Sequence, residues 1–125
     1  ELRFINAGHN PPLLCSCNQK TRHEEPEMLK ATGIPLGIDG KFPYEQGTLI
    51  LEPGDFIVCY TDGVTEALNP SGEIFGIERL KKTIQTTKQA CCAADIMSNL
   101  KQALMEFIGD CDQYDDITIL IVRRC

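Results

Sequence analysis

The chain has 125 residues, of which 42% are hydrophobic and 24% are charged, and its formal net charge is −6. This length suits one domain with its own core, and the composition is typical of a globular protein in water. The acidic balance disfavours nucleic acid or an anionic membrane surface as a partner, and no apolar run approaches the roughly 20 residues that span a bilayer. The same balance is compatible with a site that collects divalent cations.

The first part of the chain predicts short β-strands. The runs ELRFINA and PLLCSC are separated by the turn-rich GHNP, and this order predicts a hairpin. The polar residues 18–27 predict a loop. The segment TGIPLGIDG contains three glycines and a proline, so we expect an ordered but irregular connection there.

The next segment, GTLILEPGDFIVCYT, contains two apolar runs separated by Glu-Pro-Gly-Asp. Proline, glycine and aspartate between strand-like runs indicate a tight turn, so this segment is either a second hairpin or a sharp corner. The run FIVCY is apolar at nearly every position. A strand of this kind is covered on both faces.

Two helices and a last strand complete the pattern. GIERLKKTIQTT places Ile77, Leu80 and Ile84 on one helical face, and AADIMSNLKQALMEFIG repeats apolar residues at helical spacing up to a C-cap at Gly109. YDDITILIVRR is again almost continuously apolar. We therefore expect an α+β fold in which amphipathic helices pack on antiparallel sheets.

Aspartates mark the ends of two of the predicted strands. Asp62 follows one buried strand, and Asp115 and Asp116 precede another. If these strands are antiparallel neighbours, the end of one lies beside the start of the other, and the carboxylates meet at one sheet edge. Clustered carboxylates repel one another unless a cation neutralises them, and oxygen ligands suit Mg²⁺ and Mn²⁺. Asp-Gly is also a common turn, and Asp-Asp is also typical of a solvated loop end.

Other metal patterns are weaker. GDCDQYDD departs from a calcium-binding EF-hand loop, because Tyr114 and Asp115 occupy its third-ligand and glycine positions and Ile121 its twelfth. His9 has no histidine or cysteine partner at ligand spacing, which favours a turn residue over a ligand. The seven cysteines show no C-x-x-C pair, so we expect reduced, mostly buried thiols in a cytoplasmic protein.

Four motifs occur in the order found in one family: NAGHNPPLL, GIPLG, LEPGDFIVCYTDGVTEALNPSGEIFGIERL and DDITILIVR. Over nearly its whole length the chain is similar to the C-terminal part of a bacterial PPM-type (PP2C-like) serine/threonine phosphatase domain, in the branch of the sporulation protein E and RsbU regulators. Residues 1–125 are thus predicted to be the C-terminal portion of a single domain.

The resemblance implies an α-β-β-α sandwich of two antiparallel sheets, with a binuclear Mn²⁺ or Mg²⁺ site at one end. It also implies hydrolysis of phosphoserine or phosphothreonine by a metal-activated water, without a phosphoenzyme. In this branch the substrate is typically a phosphorylated anti-sigma-factor antagonist.

Carried over by motif, Asp62 of TDG and Asp115 of DDIT resemble metal ligands of the family. Asp116 stands where many relatives have asparagine, which implies an orienting role in the second shell. Gly63 would let the backbone approach the metal edge closely. His9 replaces an aspartate that can hold a third metal in distant relatives, so the resemblance does not extend to a third metal.

Two more residues belong to the motif without an assigned chemical role. Helix initiation and turn formation are adequate explanations for Glu66 and Asn69.

One family motif is missing. The Gly-Asp-x-x-Asp motif, whose aspartate bridges the two metals, should precede residue 1, and neither Gly54-Asp55 nor Gly109-Asp110 has its context. We therefore expect a partial site and a piece that is poorly stable alone or pairs with another copy through exposed sheet edges. Two hypotheses follow: part of a metal-dependent phosphatase, or a catalytically silent interaction module or fragment.

Overall fold

The computed structural model describes residues 1–16, 25–30, 32–87, 92–113 and 115–125. Its elements are, in chain order, β1 (Leu2–Phe4), β2 (Leu13–Cys15), β3 (Glu27–Met28), β4 (Gly47–Leu49), β5 (Phe56–Tyr60), α1 (Asp62–Thr65), α2 (Gly76–Thr86), α3 (Ala93–Ile108) and β6 (Ile119–Arg123). Within these ranges no helix combines the length and the apolar character that a membrane span requires.

The strands form two antiparallel sheets. The larger sheet has the order β3-β2-β5-β6, and the smaller one pairs β1 with β4. In the larger sheet, β5 and β6 pair over their full length, from Phe56 opposite Arg123 to Tyr60 opposite Ile119. The end of β5 and the start of β6 therefore lie side by side, as the sequence pattern required for a shared site.

Strand β5 is covered on both faces, which confirms the prediction from its continuous apolar sequence. Phe56, Val58 and Tyr60 lie in the core cluster that includes the buried residues of α2 and α3. Ile57 lies in a second cluster, with Cys59 against it, and the side chains of β1 and β4 pack there. The described residues thus form three layers, helix, sheet and sheet, which agrees with the predicted sandwich of antiparallel sheets.

Both helices match the sequence pattern. Leu80 and Ile84 of α2 are buried, as are Ile96, Leu100, Leu104 and Ile108 of α3. Gly109 ends α3 with a φ of 57°, a conformation that glycine adopts at little cost, and its N–H donates to Met105.

The predicted hairpin between ELRFINA and PLLCSC is wrong. β1 pairs with β4, whereas β2 pairs with β3 and β5, so the intervening turn carries the chain from one sheet to the other. A turn signal indicates a change of direction but not the strand on which the chain then pairs. The predicted loop 18–27 lies mostly outside the described residues, and its last residue, Glu27, belongs to β3. Residues 32–40 form the predicted irregular connection.

The turn at residues 52–55 is a corner between the two sheets and not a hairpin, because β4 and β5 belong to different sheets. Asp55 is fully buried, and its carboxylate accepts a 2.9 Å hydrogen bond from the N–H of Glu52. Gly54 and Asp55 also exchange backbone hydrogen bonds with Arg124. The corner is therefore tied to the chain just after β6.

The cysteines are less buried than expected. Cys15 is buried, Cys59 and Cys111 are half-buried, and Cys92 and Cys125 are exposed; none of these five is in a disulfide. The remaining two, at positions 17 and 91, lie outside the described residues.

Candidate metal edge and adjoining cavity

The pairing of β5 with β6 brings the predicted site residues to one end of these two strands, a region that we call the carboxylate edge. Asp62 begins α1, two residues after the end of β5, and Asp115 and Asp116 lie just before β6. Tyr60 pairs with Ile119, so both aspartate-bearing segments leave the sheet at the same end. The sequence-based expectation that these segments meet is thus confirmed.

Thr61 joins the two segments. Its hydroxyl donates a 2.9 Å hydrogen bond to the carbonyl of Asp116 and accepts a 3.0 Å bond from the N–H of Thr118. Its own N–H donates to the carbonyl of Thr118 at 3.1 Å. These three hydrogen bonds extend the pairing of β5 with β6 beyond Tyr60, and they fix the spacing between the two aspartate-bearing segments.

Gly63 allows the closest approach at this edge. A Cβ atom at this position would lie 2.5 Å from the carbonyl oxygen of Asp116 and 3.4 Å from that of Asp115. Real Cβ atoms do not approach a backbone oxygen to 2.5 Å, so only glycine fits without displacing the segment before β6. The predicted close backbone approach at Gly63 is therefore present, and the absence of a Cβ atom is what permits it.

The carboxylates of Asp62 and Asp115 are exposed and each is oriented by a neighbouring backbone group. Asp62 Oδ1 accepts a 3.1 Å hydrogen bond from the N–H of Gly63, and Asp115 Oδ1 accepts a 2.7 Å bond from the N–H of Asp116. Within the described ranges, the second oxygen of each carboxylate has no hydrogen bond. Among the described residues, Asp116 itself contributes only its backbone N–H and carbonyl to the contacts of the edge.

The donor set is the kind that Mn²⁺ or Mg²⁺ prefers, but it is small. Asp62, Asp115 and Asp116 offer only oxygen atoms, as hard divalent cations require. Among the residues that the structure describes, no group of three or more His, Cys, Asp or Glu side chains is arranged to hold a metal ion. Their oxygen atoms suit Mn²⁺ or Mg²⁺, but the described residues do not supply a complete ligand set.

A cavity of about 230 Å³ adjoins this edge. We call it the edge cavity, and its lining has an apolar part and a polar part. The apolar side chains are those of Ala67, Leu68, Ile108 and Ile117, the polar ones are those of Glu66, Asp112, Gln113 and Asp115, and Gly63 also lines the cavity. It is thus formed between the chain after α1, the end of α3 and the segment that leads into β6.

The remaining motif residues have structural contacts. Asn69 Oδ1 accepts hydrogen bonds from the N–H groups of Ser71 and Glu73, so the turn explanation for Asn69 suffices. His9 is exposed, and its backbone N–H and carbonyl are both bound by the side chain of Asn6. Asn6 therefore organises this turn. Sequence reasoning missed it, although an asparagine three residues before His9 is a recognisable turn signal.

Sequence reasoning also missed Thr61, because a threonine at a strand end is unremarkable until its partner across the edge is known. Beside it, burial raises the pKa of the Tyr60 phenol and of the Cys59 thiol. Both side chains belong to β5, and neither belongs to the carboxylate edge.

A model of the family "Stage II sporulation protein E (SpoIIE)" matches residues 1–125. The chain is 35% identical over 123 residues to protein IcfG of Synechocystis sp., covering 98% of this chain and 18% of IcfG. It is 32% identical over 127 residues to phosphoserine phosphatase RsbU of Bacillus subtilis, covering 99% of this chain and 35% of RsbU. The chain therefore belongs to the SpoIIE family, whose relatives include PP2C-type phosphatases.

Solved structures support the same assignment of the fold. The SiaA-PP2C domain of Pseudomonas aeruginosa aligns with a TM-score of 0.73 at 24% identity, covering 97% of this chain and 45% of that one. The RsbU and RsbW domains of Rv1364c from Mycobacterium tuberculosis align with a TM-score of 0.67 at 25% identity, covering 98% and 33%. This chain thus spans less than half of either structure and has the fold of the corresponding part of a PP2C domain.

Proposed function

We propose that residues 1–125 form the C-terminal portion of a metal-dependent serine/threonine phosphatase domain that acts in the cytoplasm. Its substrate would be a phosphorylated regulatory protein, such as an anti-sigma-factor antagonist. Membership of the SpoIIE family and similarity to phosphoserine phosphatase RsbU support the class of reaction. The observation that carries the proposal is the meeting of Asp62 and the Asp115 segment at one edge through the β5–β6 pairing.

In this proposal Asp62 and Asp115 hold Mn²⁺ or Mg²⁺ through the carboxylate oxygens that accept no hydrogen bond from the described residues. When bound, such cations supply an activated water and neutralise charge on the phosphoryl oxygens. A SpoIIE phosphatase domain from Bacillus subtilis with the same fold was solved after presoaking with Mn. Thr61 and Gly63 would act as positioning residues, because they set the spacing of the two carboxylates.

The second candidate is a catalytically silent interaction module that associates through its sheet edges. It is favoured by the small donor set, since the described residues include no metal-binding group of three. Strand β6 also lies at an edge of the larger sheet, with Leu120 and Val122 exposed on the face that β1 and β4 leave open. An edge strand with exposed apolar side chains is a template for pairing with another chain.

Mn²⁺-dependent hydrolysis of p-nitrophenyl phosphate separates the two candidates. Two proteins are compared: the 125-residue chain, and the protein expressed from its gene with whatever sequence lies upstream of Glu1. The proposal expects hydrolysis by the longer protein and loss of it in Asp62→Asn and Asp115→Asn. Asp110→Asn is the matched control, because Asp110 is exposed, lies outside the edge, and carries the same charge.

Each outcome decides between the candidates. Absence of hydrolysis by both proteins would reject the phosphatase function and favour the interaction module. Hydrolysis by the 125-residue chain, tested without any upstream sequence, would show that the missing aspartate is not required or that a second copy completes the site. Hydrolysis that survives in both variants would remove Asp62 and Asp115 from the mechanism.

A further inference from the structure

The edge cavity combines two properties that a purely structural gap does not need. The less exposed side chains of its lining, hereafter its floor, are apolar: Ala67, Leu68, Ile108 and Ile117. The exposed residues of its lining, hereafter its rim, include the carboxylate-bearing Glu66, Asp112 and Asp115, and the described lining contains no lysine, arginine or histidine. A ligand that fits this lining must therefore present an apolar body and a positive end.

Two of the rim carboxylates are free to bind such a ligand. Glu66 and Asp112 are both exposed, and within the described part of the chain neither side chain forms a hydrogen bond or an ion pair. Asn69 and Glu73, which follow Glu66 in the chain, bind each other, and Arg79 pairs with Glu73; none of these three belongs to the described lining of the cavity. No internal cation therefore competes for Glu66 or Asp112 among these residues.

We propose that the edge cavity binds a lysine or arginine side chain of the phosphoprotein substrate, close in sequence to the phosphorylated residue. This inference rests on the proposed phosphatase function. The methylene groups of such a side chain would contact the apolar floor while its charged end meets Glu66 and Asp112, as amphipathic cations do on mixed surfaces. Asp115 belongs both to the rim and to the proposed metal edge, which places this side chain near the scissile phosphate.

Charge and size exclude the simpler alternatives. An acidic side chain would be repelled by the three carboxylates. A purely apolar side chain would remove water from these carboxylates without supplying a positive charge or a hydrogen bond in its place. A cavity of about 230 Å³ has room for one long side chain and not for a folded element. A basic residue flanking the phosphoserine is the occupant that satisfies both parts of the lining.

The test is a set of phosphoserine peptides with a single varied position, placed in turn at each of the three residues before and after the phosphoserine. Lysine, arginine, norleucine, alanine and glutamate are compared at each position with the full-length protein and Mn²⁺, and phosphate release gives kcat/KM. We expect one position at which lysine or arginine exceeds alanine by about three- to tenfold, the size of one or two partly exposed ion pairs. Norleucine should lie between lysine and alanine, and glutamate below alanine.

A double variant then locates the preference. In Glu66→Gln/Asp112→Asn the ratio of lysine to norleucine should fall to about one, since only the charge contribution is removed. The control variant Glu106→Gln/Asp110→Asn also removes two negative charges, but outside the cavity, and should leave the ratio of lysine to norleucine unchanged. If the double variant hydrolyses no peptide, the two single variants are measured, and each should lower the ratio in part.

The outcomes separate this inference from the function on which it rests. Hydrolysis of no peptide by the unmodified protein would overturn the phosphatase function. Hydrolysis with equal rates for lysine, norleucine and alanine at every position would overturn the cavity inference alone. A lysine preference that persists in the Glu66 and Asp112 variants would show that another surface causes the preference, and it would also overturn the cavity inference.

Discussion

Thr61 and Asp116 are 55 residues apart in the chain, and the hydroxyl of Thr61 donates a 2.9 Å hydrogen bond to the carbonyl of Asp116. Asp62 follows Thr61 directly, and Asp115 precedes Asp116. The bond therefore joins the immediate chain neighbours of the two residues that we propose as metal ligands. It ties their separation to the pairing of β5 with β6, and not to the conformation of either loop alone.

Thr61→Val removes this hydroxyl while keeping the shape of the side chain. We expect a loss of about 0.5–1.5 kcal/mol in the free energy of unfolding, because water replaces the lost partner at this partly exposed site. Activity should fall further than stability, since the spacing of Asp62 and Asp115 is no longer fixed. Urea denaturation and Mn²⁺-dependent hydrolysis measure the two effects. Thr61→Ser retains the hydroxyl and should restore most of both; equal losses in the two variants would contradict a role for the hydrogen bond.

Gly63→Ala tests the close approach at the edge. A helix gains up to about 1 kcal/mol when glycine is replaced by alanine, but the new Cβ would meet backbone atoms, and such overpacking costs about 1–3 kcal/mol. We expect the clash to dominate, so that the variant is less stable and less active. Gly40→Ala is the control, because a Cβ at Gly40 meets nothing within 4 Å. A Gly63→Ala protein as stable and active as Gly40→Ala would show that the segment before β6 yields easily.

Asp115→Asn and Asp116→Asn form a matched pair of neighbouring, exposed carboxylates. The edge uses the side chain of Asp115, whereas Asp116 contributes its N–H and its carbonyl, which asparagine keeps. We expect Asp115→Asn to lower kcat/KM roughly 100-fold or more, and Asp116→Asn to stay within about threefold. The measurement is phosphate release from a phosphoserine peptide over a range of Mn²⁺ concentrations. Equal losses in the two variants would give the Asp116 carboxylate a role that its contacts do not indicate.

Alkaline pH should destabilise the fold through β5. Burial raises the pKa of Cys59 from 9.0 and that of Tyr60 from 10.0, so the native state retains protons that the unfolded chain releases. The stabilisation is complete below the unfolded pKa values and is lost as pH rises through the folded ones. The free energy of unfolding should therefore decrease from about pH 9 upward, measured by urea denaturation at a series of pH values.

The matched variant for this pH effect is Cys59→Ala/Tyr60→Phe. Its baseline stability is lower, because side-chain atoms are removed, but the slope above about pH 9 is the quantity compared, and it should be shallower. An unchanged slope would assign the alkaline loss to other groups.

Much of the fold was predictable because its elements carry strong local signals. The continuous apolar run of β5, the helical periodicity that buries Leu80 and Leu100, and the glycine at position 109 all depend on neighbours within one element. The pairing of β1 with β4 was not predictable in the same way. It depends on contacts between residues more than forty positions apart, and the GHNP turn reads identically for a hairpin and for a crossing between sheets.

The candidate site divides along the same line. Asp62 and Asp115 could be proposed from the sequence because each stands next to a long apolar run and within a family motif, and Gly63 because it follows one of them. Thr61 acquires its meaning only from the carbonyl across the edge, and Glu66 and Asp112 only from a cavity whose walls come from three separate segments. Side chains whose role depends on such a meeting leave no signal in their local sequence.

The position of β6 in the chain has a consequence for biosynthesis. Of the elements described, β6 leaves the ribosome last, yet the proposed metal edge requires it, because the pairing of β5 with β6 brings its two segments together. Every earlier element can be complete while the two carboxylates are still far apart. A nascent chain would thus have no assembled edge until β6 has been made, and a translation stop before Ile119 would leave the two aspartate-bearing segments without the pairing that brings them together.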